Sequence, residues 1–135
     1  MNAKTITICG KDVELLYCAA TETGYESLSG QSCEIFIPEI SKDKKGKEQI
    51  RMRATTRDYI QLAVAAVIAA YTRKGEDAPV TADDILYNAT SQEVTKLVTT
   101  VIELRNAWYQ VPSVIKPEDD TQKDQKEEEG KQKNS

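Results

Sequence analysis

Between Tyr59 and Tyr71 the chain reads YIQLAVAAVIAAY, and Gln61 is the only strongly polar side chain in that stretch. A helix of this composition is apolar around nearly its whole circumference, so it needs neighbours on almost every side. Ile60, Val64, Val67, Ile68 and Tyr71 form one stripe, and Ala63, Ala66 and Ala70 form a second, smoother one. The stretch falls short of the roughly 20 apolar residues that span a bilayer. It therefore predicts the central helix of a small core. Thr55 with Asp58 three residues later marks its start in the manner of a capping box, and it runs to about Arg73.

The remaining elements have to cover that helix. In Thr5–Tyr17, Ile6 and Ile8 alternate with polar residues, Gly10-Lys11-Asp12 turns the chain, and Val13, Leu15 and Tyr17 alternate back. This is the pattern of a β-hairpin with one apolar face. Ala19–Ser29 reads as a short helix closed by Gly30, with Ala20, Thr21, Gly24, Tyr25 and Leu28 on one face. Cys33–Ile37 predicts a short strand stopped by Pro38. Ser41–Arg53, rich in lysine and arginine, predicts a solvated loop. A sharper reading of the same stretch is a local basic patch that meets an acidic or nucleic-acid partner. Thr81 with Asp84 opens a short helix, Ala82–Tyr87. Thr90 with Glu93 opens a long one to about Tyr109, with Val94, Leu97, Val98, Val101, Ile102, Leu104 and Trp108 at helical spacing.

The apolar residues stop at Ile115. From Lys116 to Ser135 no aliphatic or aromatic side chain occurs, so this segment cannot offset its ordering entropy and is expected to be a disordered, charged tail. The expectation is a single α+β domain over residues 1–115. It is mostly helical, with the N-terminal hairpin packed on a small bundle containing two long helices.

Several function classes lose their support in the composition. A net charge of −4 over 135 residues argues against a dedicated nucleic-acid binder. Nothing resembles a membrane span or a signal peptide. Cys9, Cys18 and Cys33 are odd in number and widely spaced, as expected of small apolar residues in a reducing compartment, so the cytoplasm is the expected location. Histidine is absent, and with it the commonest general base and metal ligand. No phosphate-cradling glycine loop or nucleophile motif occurs. Asp83-Asp84 is explained by the positive end of the helix it opens. The chain therefore reads as a non-enzymatic interaction protein without cofactor or metal. Its candidate contact residues are aromatic and apolar side chains at the ends or on the faces of helices: Trp108 and Tyr109 first, with Tyr25, Leu28 and Tyr71.

The order of elements, with Gly10-Lys11-Asp12 at the hairpin turn, Leu28-Ser29-Gly30-Gln31-Ser32 closing the first helix and Val80-Thr81-Ala82-Asp83-Asp84-Ile85 between the later helices, resembles the tail assembly chaperones of long-tailed phages and prophages of Bacteroides-type bacteria. The resemblance covers roughly residues 4–112. It implies binding to the tape measure protein, a very long helical chain, before tail tube polymerisation, with displacement by tube subunits. It also implies a place in the host cytoplasm and absence from the mature virion. Self-association stays open. A structural virion protein, such as a tail completion or head–tail joining factor, and a small regulatory binding module remain the alternatives.

Overall fold

Three threonine caps set the helical part of the domain, as a computed structural model describing residues 2–110 shows. Thr55, Thr81 and Thr90 each accept a hydrogen bond from the backbone N–H of the acidic residue three positions on. Asp58, Asp84 and Glu93 in turn accept one from the threonine's own N–H. These boxes satisfy orphan amides and place a carboxylate at the positive helix end. They open α2 (Thr56–Arg73), α3 (Ala82–Asn88) and α4 (Ser91–Tyr109). α1 spans Ala19–Ser29 and ends, as its sequence predicts, on Gly30 with φ of 73°.

β1 (Ala3–Ile8) and β2 (Lys11–Leu16) form the expected N-terminal hairpin, with Ile6 opposite Val13. The turn lies one residue earlier than expected: Cys9 and Gly10 both take positive φ, 53° and 75°. Two successive left-handed residues suit a two-residue hairpin, whose twist they match. The inward face carries Ile6, Ile8, Val13 and Leu15 into one core with Tyr17, Tyr25, Phe36, Leu62, Val67, Leu97 and Val101. β2 lies on α2 and β1 on α4, while α1 packs along α2. Glu93 ties the hairpin to α4, accepting from the Cys9 N–H at 3.1 Å through the oxygen its own cap leaves free. The fold is α+β and mostly helical, and none of its described helices is long and apolar enough to cross a membrane.

Between Tyr59 and Tyr71 α2 is buried nearly all round, with one exposed residue. Ile68, expected in its apolar stripe, is exposed, because no described element covers that side of the helix. Cys33–Phe36 is not the expected strand but a 3₁₀ turn. Ser32 Oγ caps it by accepting from the Glu34 N–H, and Phe36 drops between Tyr25 and Tyr59. The expected loop at Ser41–Arg53 is largely a second antiparallel hairpin, β3 (Glu39–Lys42) and β4 (Glu48–Arg51), with Ile40 opposite Ile50. Asp43 makes its turn: Oδ1 accepts from the amides of Lys45 and Lys47, and Gly46 takes φ of 81°. The expected tail, residues 116–135, lies outside the described residues.

Candidate functional site

The end of α4 brings Trp108 and Tyr109, two of the aromatic side chains that the sequence singles out, together with Tyr17. Trp108 sits 5.5 Å from the Tyr17 ring and 4.9 Å from Tyr109, centroid to centroid. Glu22 on α1 binds both flanking phenols: the Tyr17 and Tyr109 hydroxyls donate to Oε2 at 2.8 and 2.6 Å. The Arg105 guanidinium lies 4.7 Å over the Tyr109 ring, and its Nε is buried with no hydrogen-bond partner among the described residues. Partial burial and the bond to Glu22 push the Tyr109 hydroxyl up to about 12. Burial, then the charges of Glu22 and Glu26, pushes the Cys33 thiol up to about 12 as well. Cys33 therefore stays a neutral thiol at physiological pH, which makes it a poor nucleophile or metal ligand. Among the described residues no three His, Cys, Asp or Glu side chains converge as metal ligands do.

The five expected contact residues separate by burial. Tyr25, expected at a contact surface, is instead in the core: it is 0% exposed and its hydroxyl donates to Asp58 Oδ1 at 3.1 Å, which fixes the start of α2 against α1. Tyr71 is half-buried, its hydroxyl oxygen accepting from the Glu14 N–H at 3.2 Å, so it holds α2 to β2. Trp108 packs against the core and presents only part of its ring. Tyr109 and Leu28 are exposed, at 44% and 50%.

Tyr87 is the most exposed single large apolar side chain, at 83%, but a group of exposed apolar residues lies where the sequence predicts a polar loop. Every residue of β3 and β4 is exposed, and Ile40 and Ile50 are accessible at 66% and 61%. They share one face of the ribbon, since cross-strand partners point the same way, and Met52, two residues past Ile50, continues it. Arg53 locks the base, donating from its guanidinium to the carbonyls of Glu34 and Ile37. The ribbon is thus anchored to the domain at its base and bare along its apolar face. The signal that could have located it is Asp43-Lys-Lys-Gly46, a turn sequence centred between Ile40 and Ile50.

Compared with protein-family models, with curated proteins and with solved structures, the chain finds no match in any of the three.

Proposed function

We propose that this protein is a non-enzymatic tail assembly chaperone that binds the tape measure chain of a long-tailed phage and keeps it soluble before the tail tube forms. The observation that carries the reading is the contrast between a closed core and a bare apolar ribbon. Ile8, Val13, Leu62, Val67, Leu97 and Val101 are sealed from solvent, while Ile40 and Ile50 on an anchored ribbon are not. An apolar surface of this kind, beside a core that the described residues already close, is what a protein–protein contact requires. Tyr109 and Leu28 add exposed apolar area elsewhere. The resemblance in element order and turn motifs supplies the identity of the partner, and tube subunits are the natural competitors that displace the chaperone.

A long amphipathic chain aggregates through its exposed stripes unless they are covered. A small acidic protein can cover them reversibly by mass action, with no nucleotide. The assay is co-expression: the tape measure chain should move from the insoluble to the soluble fraction with this protein and stay insoluble without it. The competing reading, a structural virion protein, predicts the protein at fixed stoichiometry in purified particles, where a chaperone is missing.

A further inference from the structure

Two-stranded ribbons are marginal in water unless their apolar face packs on another element, and a helix is one of the few things that suits. The face formed by Ile40, Ile50 and Met52 has no such cover among the described residues. Its edges are guarded in the usual way against further strand pairing. Pro38 stands just before β3, and Lys42, Lys44, Lys45 and Lys47 surround the turn. The face, rather than an edge, is therefore left to receive a partner. Two strands make a surface roughly 10 Å wide and about 13 Å long. One helix, about 10–12 Å across, fills that width over roughly two and a half turns.

Charge narrows the choice. From Glu39 to Arg53 six cations stand against three carboxylates, a net +3 in a chain whose total is −4. Arg51 pairs with Glu39 and Arg53 is held at the base, so the available excess is that of Lys42, Lys44, Lys45 and Lys47 over Asp43 and Glu48. Resting on the chaperone reading, we infer that the β3–β4 ribbon is the docking surface, and that its occupant is an amphipathic helix of the partner with acidic residues flanking its apolar stripe. Leucine-like side chains lie over Ile40, Ile50 and Met52, and the flanking carboxylates meet the turn lysines Lys44, Lys45 and Lys47, while Lys42 stands opposite Glu48 on the same face. Hairpin-to-hairpin pairing with a second copy would set a net +3 against a net +3. The chain's own residues 111–135 suit the face poorly in composition. Their three aliphatic side chains are interrupted by Pro112 and followed by Pro117, and a helix interior does not accept proline. A nucleic acid would leave the isoleucines uncovered.

The test uses the full chain and a synthetic helical peptide with a leucine stripe flanked by glutamates, followed by fluorescence anisotropy at physiological salt. Its twin carries lysine for every glutamate, and a DNA duplex serves as the third probe. The acidic peptide should bind, the lysine twin should not, and the Ile40→Ser/Ile50→Ser double variant should lose about tenfold or more in affinity. An Ile40→Val/Ile50→Val variant should keep most of the binding, and circular dichroism should show both variants folded.

The site is overturned if the acidic peptide fails to bind, if its twin binds equally, or if DNA binds instead with a steep salt dependence. Concentration-dependent oligomers lost in the serine variant would assign the face to a second copy and overturn it too. So would much tighter peptide binding by a chain ending at Gln110, which would assign the face to residues 111–135. If the serine variant still keeps a co-expressed tape measure chain soluble, the ribbon falls as the site while the chaperone reading stands. If the wild type fails to keep that chain soluble, the reading itself falls.

Discussion

Asp58→Ala should be among the most damaging changes available to a single polar side chain here. Asp58 is 5% exposed and accepts four hydrogen bonds. The Thr55 amide and hydroxyl donate to Oδ2 at 2.8 and 2.9 Å, and the Tyr25 hydroxyl and Gln31 amide donate to Oδ1 at 3.1 Å each. Loss of the cap interaction costs about 0.5–2 kcal/mol. Leaving the Tyr25 hydroxyl buried and unpaired costs about 1–3 kcal/mol more. The two overlap, so a total of about 2–4 kcal/mol is expected, a large share of the roughly 5–15 kcal/mol typical of a domain. Urea unfolding followed by far-UV circular dichroism should show the midpoint fall with little change in slope. Tyr25→Phe should cost about 1–2 kcal/mol, and the double variant should be less damaged than the sum. The carboxylate also has a pH signature. Burial raises its pKa, but the bonds from Thr55, Tyr25 and Gln31 outweigh that and hold it below the ordinary aspartate value. A lowered folded pKa means its contribution is complete above that ordinary value and is lost as pH falls through the folded one. Asp58→Ala should therefore flatten the acid limb of stability. Strict additivity with Tyr25→Phe, or a loss under about 0.5 kcal/mol, would refute the reasoning.

Gly24 on α1 faces Ala65, and an added Cβ would sit 3.5 Å from the Ala65 Cβ, an ordinary contact. Gly24→Ala should therefore stabilise the protein by about 0.5–1 kcal/mol through helix propensity, measured as a raised urea midpoint. Val67 is 0% exposed in the middle of α2. Val67→Asp should abolish the cooperative unfolding transition, because an unpaired buried carboxylate costs several kcal/mol. A folded, soluble Val67→Asp protein would mean that this face of α2 is open.

Local chemistry explains which parts of this fold could be read from the sequence. The capping boxes at Thr55, Thr81 and Thr90 are three-residue signals, and each helix begins where its box stands. The β1–β2 hairpin shows in strict alternation, although its turn needed the left-handed Cys9 as well as Gly10. Cys33–Phe36 could not be settled by periodicity, since a short apolar run fits a strand or a buried turn equally. Its Ser32 cap and the Tyr25–Phe36–Tyr59 ring contacts decided it. The β3–β4 ribbon was masked by its charge: strands of four residues with a single isoleucine each carry little β signal. Tyr25 looked like a surface aromatic because its partner, Asp58, lies 33 residues away. Tyr109 and Leu28 stand out in the sequence and are exposed, whereas Ile40 and Ile50 flank a lysine-rich turn that hides their strand signal.

The most direct measurement of the chaperone account is refolding with purified components. A tape measure chain diluted from denaturant, without nucleotide, is followed by light scattering as this protein is added. The account predicts that scattering falls in proportion to added protein, reaches a plateau at a fixed ratio, and leaves a soluble complex that survives size-exclusion chromatography. Scattering unchanged at every ratio, or suppressed no better than by an unrelated acidic protein of the same size, would contradict it.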